Sequence, residues 1–438
     1  MRCIHTADWH LGNRMHEIDR SREFDAFLGW LREEIVQKQA DCLIVAGDVY
    51  DVANPPNEAK KAYCAFLASL VGSCCRNVII VGGNHDSGSL LDTEKDIFAA
   101  LNIRVVGSLS NVEPEDLVFE LTGEGGQVIG IAAAVPYARE IELRSYFDGT
   151  EDDGKLCDAA YGTLYRKVWE AAERKRAGRD IPVIATGHLY AASLEGRFSG
   201  CRDTGSFDDG TRAIDILGNL GLVSASVFPP DFDYIALGHV HYTTMVAKNP
   251  KIRYSGSPFV LGFDEAALPR YVLCVDCEKG KTGVEKLEVP SFVRYRRLEG
   301  SISHVREELE LLAKETDDGR PCYLELYYQR GIGDSSLAEL EAAVEKLPPH
   351  ISVVSWKLAE AKGAALREGF DLDDRELKNL QDDEIFTSLI LENSRLPVPI
   401  PEGADEETAK KIRDEWLAAY LPLFLQLARE VESEGDGE

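Results

Sequence analysis

The sequence predicts an α/β fold, and three observations carry that prediction. Short unbroken apolar runs recur through the first 280 residues, helical spacing fills the interval between the first two runs, and nearly every run ends in a small cluster of aspartate, asparagine, histidine or glycine.

The runs are Cys3-Ile-His-Thr-Ala, Cys42-Leu-Ile-Val-Ala, Val78-Ile-Ile-Val, Val183-Ile-Ala-Thr and Tyr234-Ile-Ala-Leu. Their apolarity is continuous rather than alternating, as strands buried on both faces require. Between the first two, Phe24, Phe27, Leu28, Leu31 and Ile35 recur at the spacing of one helix face, giving a strand–helix–strand start. This first domain is expected to span 1–280. A small α+β domain is expected over 290–358, with strands at 292–295, 323–328 and 351–356 and helices at 305–313 and 337–347. Residues 359–373, rich in glycine, alanine and charge without periodicity, read as a linker. Two amphipathic helices are expected over 374–432, the second carrying an apolar stripe of Ile412, Trp416, Tyr420, Leu423, Leu427 and Val431.

The 438 residues are 44% hydrophobic and 28% charged, which fits a globular chain of two or three domains. No stretch approaches the roughly 18 uninterrupted apolar residues of a membrane span, and the opening Met-Arg-Cys-Ile-His lacks a secretory apolar core, so a cytoplasmic protein is expected. Ten scattered cysteines, mostly inside apolar stretches, indicate reduced thiols rather than a disulfide framework. Cys274 and Cys277 form a CxxC within an apolar run, with no second pair at zinc spacing, and read as strand packing. The net charge of -28 excludes a broad basic surface, so any contact with nucleic acid would need local cations, bound metal or a partner. Residues 360–438 hold 21 acids against 9 bases and account for -12 of it. Arg174-Lys-Arg176 with Arg179, and Arg294-Tyr-Arg-Arg297, are read as solvated faces ahead of phosphate contacts.

The strand-end clusters carry the chemistry. They are Asp8-Trp-His10, Gly47-Asp48-Val-Tyr-Asp51, Gly83-Asn84-His85-Asp86, Gly187-His188 and Gly238-His239-Val-His241, and they contain five of the nine histidines. Loops at the carboxyl ends of strands in an open α/β sheet converge on a ligand, so residues distant in sequence meet there. Carboxylate, imidazole and amide oxygen suit Mn(II), Fe(II) or Zn(II), and no cysteine is present to select a thiolate-loving ion. A set this large suits two cations, which can clamp the attacking and leaving oxygens of a phosphoryl displacement.

These five clusters resemble the signature of the calcineurin-like metallophosphoesterases. More narrowly, His5-Thr-Ala-Asp-Trp-His-Leu-Gly, Gly47-Asp-Val-Tyr-Asp and Asp233-Tyr-Ile-Ala-Leu-Gly-His-Val-His resemble the SbcD family of Mre-type DNA repair nucleases. The resemblance implies a β-sandwich core flanked by helices, with a capping domain and a terminal helix pair. It implies that Asp8, His10 and His241 hold one metal, most favourably Mn(II), that Asn84, His188 and His239 hold a second, and that Asp48 bridges them. His85 would face the scissile phosphate as a positioned acid, Asp51 would orient His85, and Asp86 would support the turn. Partners implied are DNA, an SbcC-like coiled-coil ATPase bound through the terminal helices, and a second copy within a heterotetramer. The activity implied is exonucleolytic on duplex ends and endonucleolytic on single strands or hairpins. The acidic loop 196–211 is longer than that family suggests. His5 reads as structural, and His16, His304 and His350 receive no function.

Two rivals stand beside this reading. A phosphatase or phosphodiesterase with the same metal core would act on small molecules or proteins, but Asp86 in place of glutamate and Val52 in place of arginine depart from protein phosphatases. A non-enzymatic scaffold would use the metals structurally, and His85 would then have no task.

Overall fold

The computed structural model describes residues 1–16, 18–147, 153–192, 222–329 and 337–358, together with positions 410 and 412. By compactness the chain forms two units. The first comprises 1–299, 304–326 and 337–356, and the second 300–303, 327–336 and 357–438. The expected linker and helix pair lie outside the described residues apart from Lys410 and Ile412, as does the acidic loop 196–211.

In chain order the strands are β1 (Arg2–Thr6), β2 (Cys42–Ala46), β3 (Asn77–Val81), β4 (Ile103–Val106), β5 (Val118–Thr122), β6 (Val128–Ala133), β7 (Val183–His188), β8 (Tyr190–Ala192), β9 (Leu222–Ser224), β10 (Tyr234–Gly238), β11 (Thr244–Met245), β12 (Ile252–Tyr254), β13 (Tyr271–Glu278), β14 (Lys281–Glu288), β15 (Arg294–Ser301), β16 (Cys322–Gln329) and β17 (Ile351–Leu358). Two six-stranded sheets run β14-β13-β1-β2-β3-β4 and β11-β12-β10-β7-β6-β5, while β8 and β9 form a small parallel pair. In the first sheet β1 to β4 are parallel, and β13 and β14 add an antiparallel edge. In the second, β12, β10, β7 and β6 are parallel, with β11 and β5 antiparallel at the margins.

The strand period of two sorts the first sheet's side chains cleanly. Cys3, Cys42, Ile44, Ile79 and Val81 join the core shared with the second sheet. Their neighbours Ile4, Leu43, Val45, Val78 and Ile80 face Phe27 and Leu31 of α1 (Ser21–Gln37) and Phe66 and Leu67 of α2 (Asn57–Leu70). On the second sheet the helix Asp153–Arg176 contributes Leu164, Tyr165 and Val168 to the same core as the strands. The result is the helix-flanked β-sandwich that the sequence suggested. Each fully buried leucine or phenylalanine contributes about 1.5–3 kcal/mol, so these layers fix the strand ends firmly.

Cys274 and Cys277 lie in β13 and are buried on opposite sides of the sheet, so they cannot grip a single ion. His5 is fully buried on β1, with Nδ1 2.9 Å from the Tyr234 hydroxyl and Nε2 3.2 Å from the Leu237 carbonyl. Burial lowers its pKa to about 3, and the neutral ring is a structural member of the core.

The later segments follow the expected order. β15, the helix Ile302–Leu312, β16, the helix Leu337–Val344 and β17 succeed one another, and the three strands form one sheet in the order β15-β16-β17. The basic patches carry acid partners: Arg174 pairs with Glu115, Arg179 with Glu120, Arg294 and Arg296 with Glu315, and Arg297 with Glu325. No helix among the described residues is long and apolar enough to cross a membrane.

Candidate metal centre

Every predicted ligand lies at or just beyond the carboxyl end of a parallel strand. Asp8 and His10 follow β1, Asp48 follows β2, Asn84 follows β3, His188 closes β7, and His239 and His241 follow β10. The backbone at four of them is left-handed, with φ of 53° at Asp8, 44° at His10, 48° at Asp48 and 98° at His239. Side chains other than glycine avoid that region at a cost of about 1–3 kcal/mol each, so the fold gives up stability here to aim these groups. The turns are cross-braced. Asp8 N donates to Gly47 O at 3.0 Å, His10 N to Asp48 O at 3.0 Å, and His239 N to the Asp8 carboxylate at 2.8 Å.

Glycines let the two sheets converge. A Cβ on Gly238 would stand 1.9 Å from the Ala46 carbonyl, and one on Gly47 would stand 2.1 Å from His188 Nδ1. At Gly83 it would strike Asp48 Oδ1 at 2.1 Å. A methyl at any of the three collides with a predicted ligand or with the strand that carries one.

The side chains close around one small volume. Ligand atoms of Asp8, His10 and His241 all lie within 4.8 Å of one another, as do those of Asp8, Asp48 and His188. Asn84 Oδ1 is 3.0 Å from both His188 Nε2 and His239 Nδ1. Asp48 Oδ2 sits between the groups, 3.2 Å from His188 Nε2 and 3.7 Å from His10 Nε2. All seven predicted ligands therefore come together.

His85 borders this volume, its ring centroid 4.9 Å from that of His10. Its backbone N donates to Asp48 Oδ1 at 2.9 Å, and its Nδ1 lies 2.9 Å from Asp51 O. The expectation for Asp51 needs correction in one respect. Asp51 meets His85 through its main-chain carbonyl, whereas its carboxylate accepts from Asn13 Nδ2 at 3.0 Å and lies 3.2 Å from His10 Nδ1. Asp86 matches its supporting role, because its carboxylate accepts from the backbone N–H groups of Val49, Tyr50 and Gly83 and ties the second cluster to the third.

The electrostatics bear on whether cations fit. His188 Nδ1 lies 2.9 Å from the Ala46 carbonyl and must donate to it, so a neutral ring would aim its Nε2 lone pair at the oxygens of Asn84 and Asp48. Two acceptors facing a lone pair require a proton or a cation between them. Burial alone would discharge His188, but the Asp48 carboxylate outweighs it and holds the imidazolium up to about 9. Burial likewise opposes ionisation of Asp48, yet His188 prevails and holds its pKa below the usual carboxylate range. Burial raises Asp8 to about 7, with Asp48 adding to the rise. Burial lowers His239 to about 4 and His241 to about 3, leaving both as neutral donors. Asp8 Oδ2 and His10 Nε2 are buried without a hydrogen-bond partner among the described residues. A donor set with buried unpaired lone pairs and opposed acceptors fits divalent cations.

That arrangement fixes a pH dependence. In the metal-free protein the raised His188 pKa stabilises the protonated pair fully below the ordinary histidine value, and this contribution fades as pH rises through about 9. A cation competing for Nε2 must displace that proton. Mn(II) affinity should therefore climb by up to about tenfold per pH unit between pH 7 and 9. Titration calorimetry in buffers of different ionisation heat should register proton release, and a flat profile would contradict the assignment of His188.

The profile of the family described as calcineurin-like phosphoesterase matches residues 1–243, the segment that supplies every residue of this centre. The chain belongs to that family. Among curated phosphoesterases, it is 33% identical over 360 residues to the SbcD subunit of the nuclease SbcCD from Escherichia coli K12, covering 81% of this chain and 84% of that protein. It is 30% identical over 362 residues to the same-named protein of Rhodobacter capsulatus, covering 80% and 85%. A Bacillus subtilis counterpart is 30% identical over 282 residues, covering 64% and 67%.

Within this phosphoesterase the sequence reading missed residues that hold the ligands in place. Arg270 Nη1 and Ser257 N both donate to the His241 carbonyl, each at 3.1 Å, and Arg270 is anchored by Glu265 at 2.9 Å. Asn13 and Arg20 lie in an aperiodic loop, where neither spacing nor composition distinguishes them.

Proposed function

We propose that this phosphoesterase is the nuclease component of an SbcCD-type DNA repair complex, hydrolysing DNA phosphodiesters with two divalent ions, most favourably Mn(II). Asp8, His10, Asp48 and His241 would hold one ion, and Asp48, Asn84, His188 and His239 the other. The observation that carries the reading is the convergence of seven ligand side chains beside an eighth group, His85, that stands outside the ligand set. A bound pair of divalent cations supplies charge for the phosphate oxygens and a lowered pKa for water.

The chain's own groups do the rest. Asp51 O accepts from His85 Nδ1–H, which leaves Nε2 as the atom able to meet substrate. Protonated at both nitrogens, His85 gives the Nε2 proton to the leaving oxygen and returns to the tautomer that the Asp51 carbonyl favours. The braced backbone of the five turns keeps this geometry fixed before substrate arrives, so little reorganisation remains for the reaction itself.

The names of the relatives support a partner of the SbcC type and a role in DNA repair and recombination in the cytoplasm. We assign the helices expected over 374–432 to an SbcC-like ATPase and the β15–β17 segment to capping the site, within a heterotetramer containing two copies of this chain. The acid-paired arginines and the charge of -28 favour a division of labour in which the partner supplies much of the attraction for phosphate.

The test uses linear duplex, hairpin and single-stranded DNA with Mn(II), Mg(II) or EDTA, with and without the ATPase. Cleavage should require the metal and stop in EDTA. Faster turnover of phosphomonoesters or cyclic nucleotides than of DNA would transfer the assignment to a phosphatase, and no Mn(II)-dependent cleavage with the partner present would end it.

A further inference from the structure

A continuous chain of polar contacts runs from β15 to the candidate metal centre. The Tyr295 hydroxyl donates to Glu23 Oε2 at 2.8 Å, and Arg20 Nε donates to the same oxygen at 2.8 Å. Arg20 Nη1 donates to Asn13 Oδ1 at 2.7 Å, which leaves the Asn13 amide nitrogen to face Asp51 Oδ1 at 3.0 Å. That same oxygen lies 3.2 Å from His10 Nδ1. Arg20 is buried among the rings of Phe24, Phe259 and Tyr295, 5.5, 5.6 and 5.5 Å from its guanidinium carbon, so its planar fork has little freedom to move.

We propose that Asn13 and Arg20 are positioning residues for the metal held by Asp8, His10 and His241, and that through them Tyr295 couples the β15 strand to that metal's affinity. The inference rests on the metal-centre reading above. A carboxylate on the far nitrogen of a ligating imidazole fixes its tautomer and ring angle and raises its basicity. Asp51 serves His10 this way only if its carboxylate stays turned inward, yet that side chain is 26% exposed and water competes for it. Asn13 holds it, and Arg20 in turn fixes which end of the Asn13 amide faces Asp51. Because the Asp51 main-chain carbonyl also receives His85, the same residue joins the coupling chain to the acid. The chain touches His10 and His85 but none of Asn84, His188 or His239, so its effect should be selective for one ion.

Calorimetric Mn(II) titration of the full chain reads this directly. Asn13 is partly exposed, and Asn13→Ala should keep the wild-type melting profile while weakening one of two Mn(II) equivalents by about tenfold and leaving the other within about twofold. Tyr295→Phe, which removes only a hydroxyl, should weaken the same equivalent by a smaller factor. Two unchanged Mn(II) affinities in Asn13→Ala overturn the proposal, as does equal weakening of both together with a lowered melting temperature. If wild-type protein binds fewer than two Mn(II), the metal-centre reading falls and the network falls with it.

Discussion

Asp48→Asn should bind neither Mn(II) ion at the wild-type affinity and should lose cleavage by at least about 1,000-fold. One Asp48 oxygen lies between the two ligand groups and the other accepts from His85 N, so this carboxylate is the point on which both groups and the acid's backbone depend. The negative charge is what matters. An asparagine in its place would keep the size and one acceptor, yet the His188 imidazolium would lose the anion that holds its pKa up to about 9. The buried ring would then shed its proton and turn a lone pair toward two oxygens. Metal analysis of dialysed protein checks the prediction, with circular dichroism to establish that the variant is folded. Two tightly bound ions in Asp48→Asn would refute a shared role for this carboxylate.

His85→Ala should behave oppositely, keeping both ions and the fold while cleaving about 100- to 10,000-fold more slowly. The ring is exposed and makes one hydrogen bond, to Asp51 O, so its removal should cost only about 0.5–1.5 kcal/mol of stability. Its absence from the ligand groups is why metal content should not change. The limb of the pH–rate profile that reports the acid should vanish with it. Wild-type rates in this variant would remove the proposed proton donor and return the chemistry to the cations and the backbone alone.

Much of the fold is legible in the order of residues alone. The runs at Cys42 and Val78 had to be buried on both faces because they are apolar without alternation, and β2 and β3 are fully buried. The ligand clusters stand out because turn residues and metal donors repeat at strand ends. Pairing is less legible. β13 lies beside β1 across most of the first domain, and nothing local in Tyr271-Val-Leu-Cys-Val-Asp-Cys specifies that neighbour. The aim of Asp51 is illegible for a different reason. Sequence places the residue near both His10 and His85, but which one its carboxylate meets is decided by a side-chain rotation that answers to Asn13, and through Asn13 to Arg20.

The near contact at Gly238 makes the thickness of the sandwich and the bite of the ligands a single dimension. His239 and His241 ride on one slab and Asp8, His10, Asp48 and Asn84 on the other, with no room for even a methyl group at the seam. Coordination tolerates errors of only about 0.2 Å. The apolar filling between the slabs, Cys3, Ile44 and Ile79 against Ala185 and Ala236, thus acts as a shim that gauges the centre, and the interior of this protein is in that sense part of its chemistry.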